Sequence, residues 1–386
     1  MLDFLSLALS KKGSGQSGGG EGGPATDTLT EFIRLRGGDA LFRLSMTNTA
    51  DMHKDIEYFF RTIDGSILTN TSAMFHSVRH NFSSAPLFDT SNVTNMTSMF
   101  DTCIGLTTVP LYNTSNVTSM NSMFNGCTSL TTVPQFDTSN VTTMSSMFYN
   151  CSNLTTVPQF DTNNVTKINS IFSGCKALTT VPLFDTNNVT TMSSMFNNCS
   201  NLTTVPQFDT SNVTDMSSMF IYCGKLTTVP LFDTSNVTNM GYMFGYCEAL
   251  TTVPSFDTSN VTNMSGMFNS CKALTEIWIK NIKTALTVGS GDGTSSSHYG
   301  HLLTVDSLVH LCYELRDTGR SRTLTVGTAN LAKLADVYVK LVDITDEMRA
   351  EDDLIDEKLP FVRCESTDEG AILISDYLPA KNWELK

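Results

Sequence analysis

The amino-acid sequence predicts a repeat solenoid of 24-residue turns with short parallel strands, followed by a small C-terminal α+β domain. Three observations carry this. Cys103, Cys127, Cys151, Cys175, Cys199, Cys223, Cys247 and Cys271 recur every 24 residues without a slip. Leucines keep the same step from Leu106 to Leu274, and so do Met-x-x-Met-Phe blocks from Met96 to Phe268, with Ile168 and Ile171 as the one exception. Finally, only 16% of the 386 residues are charged, against about 25% in ordinary soluble domains, and Thr, Ser and Asn fill the shortfall.

The elements follow in chain order. Residues 1–12 open with an apolar run, Met1 to Ser10, followed by Lys11 and Lys12. A cleaved signal peptide has its charge before the apolar run and small residues after it, so the reversed order predicts a docking peptide, with Leu2, Phe4, Leu5 and Leu7 as its anchors. Residues 13–28 form a tether, with seven glycines in the eleven residues from Gly13 to Gly23. Those eleven residues reach about 18 Å root-mean-square. Residues 29–86 read as an N-terminal cap: Met74-Phe75 and Pro86 echo the repeat, while Arg79 and Phe82 occupy the Cys and Leu columns. A terminal turn must cover an open end of the core, which explains its departure from the pattern.

Residues 87–283 are the solenoid. One turn has too few apolar residues to bury against themselves, so neighbours must stack Leu on Leu and Phe on Phe. The period of 24 lies in the leucine-rich-repeat range of about 20–29. Apolar residues are mostly spaced by three, so strands must be short: one at Leu-Thr-Thr-Val and one around Asn-Val-Thr. Proline follows each valine from Val109 to Val253 and ends the strand, because its ring cannot donate to the ladder. The Ser-Ser-Met-Phe segment predicts a 3₁₀ or helical turn, and Asp-Thr-Ser-Asn an Asx-type turn. Residues 284–386 read as an α+β capping domain: helices near Val305–Arg316 and Asn330–Val342, and strands at Thr323–Val326, Phe361–Cys364 and Ala371–Ile374.

Charge excludes some functions. The net charge is −14, and −8 of it lies between Asp336 and Glu369, where twelve acidic residues face four basic ones. Nucleic acid and anionic membrane surfaces both require a basic face, so neither is an expected partner. No run of about 18 uncharged apolar residues exists to span a bilayer.

The chemistry candidates reduce to structural roles. Asp89, Asp137, Asp161, Asp185, Asp209, Asp233 and Asp257 form a column, with Asn113 in one place. Their spacing of about 5 Å is near that of retaining glycosidases, but a catalytic pair needs two unlike environments and a ladder gives every member the same one. Turn capping is favoured over calcium binding and over catalysis. The column cysteines are expected to be buried free thiols, since parallel in-register side chains pair poorly as disulfides. His298 and His301, with His310 and Cys312 nearby, lack a second spaced ligand pair for zinc. Eight Asn-Val-Thr triplets are formal glycosylation acceptors but are expected to stack as a buried Asn ladder. No catalytic residue, metal or cofactor is expected.

The Phe-Asp-Thr-Ser-Asn-Val-Thr run (88–94), blocks such as Met216-Ser-Ser-Met-Phe220, and the Cys and Leu columns resemble the BspA-like leucine-rich repeat of bacterial surface proteins and some phage virion proteins. Residues 284–335 also resemble a C-terminal module of tail-fibre-like phage proteins, and residues 1–15 the opening of phage structural proteins. What these resemblances imply is a non-enzymatic virion fibre or decoration protein, held to another virion protein by its N-terminal peptide and engaging a host surface glycan or protein. The alternative is a bacterial cell-surface adhesin, and the missing export signal and sorting tail favour the virion. A homo-oligomer is left open. The candidate ligand-binding residues are Tyr149, Tyr222, Tyr242 and Tyr246, near the variable positions after each Met-Phe pair. Two readings fit them equally: stacking planes for sugars, or partly buried turn residues.

Overall fold

The computed structural model describes residues 68–78, 82–287, 303–304, 307–308 and 310–311, together with the backbone of five C-terminal strands. The chain divides into two compact units, Met1–Val189 and Thr190–Lys386.

In the first unit, turns are joined through their Met-Phe segments by alternate N–H groups. Those of Met96, Ser98, Phe100 and Thr102 donate to the carbonyls of Ser119, Asn121, Met123 and Asn125, at 2.6–3.0 Å. The intervening N–H groups of Met99, Asp101 and Cys103 close turns onto residues three positions back, Met96, Ser98 and Phe100. Two residues per turn, four apart, have positive φ: Ser98 and Thr102 (54° and 58°), Ser122 and Gly126 (53° and 69°), Ser146 and Asn150 (both 56°), Ser170 and Gly174 (57° and 80°). Type II turns place a residue of positive φ third. The helical turn expected here is therefore not formed. A helix directs every N–H along its own axis, whereas here half of them serve the next turn.

The predicted strands are likewise reduced to single parallel bridges, Asn95↔Ser119, Ser119↔Thr143 and Thr143↔Lys167. On the Leu-Thr-Thr-Val side, the N–H of Thr155 donates to Thr131 at 3.0 Å. Pro158 ends the run before a longer ladder can form. The turn that begins at Leu68 already belongs to this ladder. Asn70 bridges Asn95, and Phe75 stacks on Phe100 at 5.2 Å. Seven positions separate Phe75 from Phe82, where six separate Phe100 from Leu106, so the extra residue lies between two core columns.

The second unit repeats the pattern, with bridges Thr191↔Asp215, Asp215↔Asn239 and Asn239↔Asn263. Near its end the Leu-Thr-Thr-Val side becomes a short sheet, β1 (Thr252–Val253) parallel to β2 (Glu276–Ile277). The last turn is met by Thr304, Ser307 and His310. Ser307 Oγ accepts from Ile277 N–H at 2.8 Å, His310 Nε2 lies 2.9 Å from the Ile279 carbonyl, and the His310 ring packs on Trp278 at 5.3 Å. The remaining strands are β3 (Leu286–Thr287), β4 (Arg322–Thr325), β5 (Tyr338–Leu341), β6 (Phe361–Cys364), β7 (Ile372–Leu373) and β8 (Trp383–Leu385). They form a parallel sheet β3-β4-β8 and an antiparallel sheet β6-β5-β7. Strand β5 corrects the helix expected over Asn330–Val342. Its Tyr-Val-Lys-Leu sequence alternates, and its backbone is paired on both sides.

In each unit the core is a set of columns. Phe100, Phe124, Phe148 and Phe172 stack at 5.6–5.8 Å in the first; Phe196, Phe220 and Phe244 stack at 5.6–5.7 Å in the second. The Leu, Met and Cys columns are closed to solvent.

Candidate functional site

The buried columns offer no reactive group. All eight column cysteines are free thiols, as the spacing predicts. Each described thiol hydrogen bond runs to a phenylalanine carbonyl of the preceding turn, as with Cys127 to Phe100 (3.1 Å) and Cys247 to Phe220 (3.0 Å). Burial pushes Cys103 and Cys271 up to about 12 and Cys127, Cys223 and Cys247 well above the usual thiol range. A thiol that stays protonated is neither nucleophile nor ligand.

The Asp column caps turns, as predicted, and is exposed except at the half-buried Asp257. Asp137 Oδ1 accepts from Ser139 N–H (3.1 Å) and Ser139 Oγ (2.7 Å), and Asp209 does the same with Ser211. The Ser hydroxyl and then the backbone N–H hold both carboxyls below the ordinary 3.8. Burial alone would raise Asp257, but Asn281, Ser259 and the charge of Lys283 outweigh it. Asn113 accepts from Ser115 in the same way without a charge. Among the described residues no group of three or more His, Cys, Asp or Glu side chains could hold a metal ion.

The Asn ladder is exposed, not buried. Asn116, Asn140, Asn164 and Asn188 donate Nδ2 to carbonyls of the preceding turn at 2.7 Å, and Asn236 and Asn260 do so at 2.7–2.8 Å in the second unit. The burial expectation failed because Val93 and its equivalents already fill the interior beside each Asn. Thr hydroxyls are engaged likewise: Thr118 to Thr94, Thr142 to Thr118, Thr155 to Thr131, Thr238 to Thr214. Gln135 and Gln159 donate forward, to the carbonyls of Gln159 and Leu183. With one hydrogen of each group turned along the ladder, hydroxyl lone pairs, amide oxygens, carboxylates and the second amide N–H remain for a ligand. The face offers acceptors together with fewer donors.

The four tyrosines are 37–47% exposed, partly buried turn residues that still show much of their rings to solvent. They do not form one group. Tyr149 belongs to the first unit, in the column of Asn125 and Asn197. Tyr222 and Tyr246 share the next column, and their rings stack at 4.5 Å with planes 18° apart. Tyr242 lies in the column of Ser194 and Ser218. All three second-unit tyrosines have positive φ (64°, 61° and 56° for Tyr222, Tyr246 and Tyr242), a signal that sequence reading missed. Glycines at 126, 174 and 266 in the same columns could have disclosed it. Also unforeseen are the exposed Leu87, Leu111, Leu183 and Leu231, which share a column with Gln135, Gln159 and Gln207. The docking residues Leu2, Phe4, Leu5 and Leu7, the tether, and His298, His301 and Cys312 lie outside the described residues.

Comparison with known proteins adds a family. The model described as "Mycoplasma protein of unknown function, DUF285" matches residues 45–156, 69–180, 129–226 and 177–282, which together span 45–282 of the 386 residues. No match was found among curated proteins. Among solved structures the chain is similar to a leucine-rich repeat protein from Eubacterium ventriosum, with 22% identity, TM-score 0.35, and 60% of this chain and 67% of that one covered. It is also similar to the T. pallidum protein TpLRR (18%, 0.28, 52% and 79%) and to a leucine-rich repeat protein from Bacteroides ovatus (16%, 0.30, 67% and 73%). With TM-scores below 0.5 and identities below 25%, none of these likenesses bears on function.

Proposed function

The chain belongs to the DUF285 family, and from that premise we propose that it is a non-enzymatic recognition scaffold displayed at a bacterial cell surface, where it presents a rigid polar face to a glycan or protein of its target. One observation carries this reading. On turn after turn, exposed Asn and Thr side chains are tied to the backbone of the neighbouring turn, so the face is ordered before any ligand arrives. Pre-ordered groups lose little entropy on binding. The same uniformity argues against catalysis, which needs neighbouring groups of unlike pKa.

The bacterial setting is supported by the family description, which names Mycoplasma. The virion setting, with its N-terminal docking peptide, rests on the sequence resemblance of residues 1–15 and 284–335 and has no support among the compared proteins. Incubating the purified full-length chain with intact cells tests the proposal. Saturable binding that releases no carbohydrate fragments is expected. Absence of saturable binding, or progressive release of fragments from surface polysaccharide, would overturn it.

A further inference from the structure

Tyrosine is an unfavourable choice for a left-handed backbone position, because its Cβ crowds the adjacent carbonyl; Gly and Asn tolerate the conformation best. Yet Tyr222, Tyr242 and Tyr246 hold such positions in consecutive turns of the second unit. Elsewhere the Tyr222/Tyr246 column carries Thr102, Gly126, Asn150, Gly174, Asn198 and Ser270. Strain that local sequence could easily have avoided points to a use outside the fold.

We propose that the stacked rings of Tyr222 and Tyr246 form a platform for an uncharged hexopyranose ring; this rests on the recognition function proposed above. Each ring covers one face of the other, and both stay exposed. In their column the flanking residues, Asn198 and Ser270, are short and polar, so the column supplies no further ring to the outer faces of the pair.

A pyranose matches this chemistry on both of its surfaces. Its C–H face packs on aromatic rings, and its hydroxyls donate to the acceptors left on the surrounding ladder. The column that carries the pair contains no charged residue in this unit. The nearby Glu248 is matched by Lys272 at 2.6 Å. A neutral hexose or N-acetylhexosamine therefore fits better than a sialylated or uronate sugar.

The test uses the full-length chain and two variants that restore a residue native to the same column: Tyr222→Asn and Tyr246→Asn. Neutral hexose and N-acetylhexosamine oligosaccharides are the probes, sialylated and uronate oligosaccharides the controls, and Tm and binding to intact cells are measured in parallel. The expected result is wild-type binding of neutral probes, a loss of at least about tenfold in each variant, and Tm values within about 2 °C of wild type. Neutral-glycan binding that survives both substitutions would overturn the platform. So would cell binding without glycan binding, whether the variants keep it (another surface is used) or lose it (the rings hold a protein); in both cases the recognition function stands. If the wild type bound neither glycans nor cells, that function would fall as well.

Discussion

Two of the aromatic ladders in the second unit carry opposite energetic meanings. Phe196, Phe220 and Phe244 stack at 5.6–5.7 Å with no solvent exposure. Tyr222 and Tyr246 stack closer, at 4.5 Å, yet stand 47% and 37% exposed on left-handed backbone. A ring that removes apolar area from water on ordinary backbone holds the fold together. A ring that remains half in water on strained backbone gains a contact and surrenders much of it again. Periodicity alone does not separate a ladder that builds a structure from one that the structure displays.

The sharpest way to break this contrast is Phe220→Ala. It should destabilise the second unit by about 3–5 kcal/mol, because the stack between Phe196 and Phe244 leaves a cavity that cannot collapse. A shift in urea midpoint no larger than that of a surface variant would contradict the assignment of faces. Next in size is Thr138→Val in the first unit. The buried Thr138 hydroxyl donates to the Asp161 carbonyl at 2.7 Å, and its loss should cost about 1–2 kcal/mol. A neutral result would show that the buried threonine column contributes packing and no bonding.

Tyr222→Asn should fall within about 1 kcal/mol of wild type in either direction, since relief of strain offsets the lost stack. A destabilisation approaching that of Phe220→Ala would erase the distinction between the two ladders. Thr155→Ala, on the exposed Leu-Thr-Thr-Val side, should change stability by no more than about 0.5 kcal/mol in the same denaturation series. Smallest at any one residue is the effect of acid. Asp137 and Asp209 have depressed folded pKa values, so their contribution is complete above the ordinary 3.8 and is lost as pH falls through the folded values. Asp137→Asn should keep its turn, as Asn113 does natively, while weakening the midpoint's dependence on pH below about 4. An unchanged acid response would remove Asp137 from the account.

Much of the solenoid was legible because burial repeats. Every Leu, Phe and Cys column read from the sequence is a buried column in its unit, and the Asx turns stand where Asp-Thr-Ser-Asn put them. The backbone between the columns was not legible. Met-Ser-Ser-Met-Phe has helical apolar spacing, and serine gives no local sign of positive φ; only Gly126, Gly174 and Gly266 mark the left-handed columns. The candidate site was half legible. Tyr149 and Tyr222 both follow a Met-Phe pair, but by one and two residues, and counting in steps of 24 separates their columns. Two neighbouring turns contributing three strained tyrosines emerge only when backbone angles are known. Residues 338–341 were misjudged because Leu334, Val337 and Leu341 mimic helical spacing across a segment that ends as strand.

Within each unit, a turn offers its successor the same set of partners that it accepts from its predecessor. The carbonyls of Ser119, Asn121 and Met123 receive from Met96, Ser98 and Phe100, and those of Lys167, Asn169 and Ile171 receive from Met144, Ser146 and Phe148. Removing or duplicating one whole repeat between such pairs would leave every donor facing an acceptor of the same kind. In the gene, a copying slip of one complete repeat preserves the reading frame and the hydrogen-bond register together. The molecule is thus free to change its number of turns in a single inherited step, moving a displayed patch along its axis by about 4.8 Å each time while the packing on either side remains that of its ancestor.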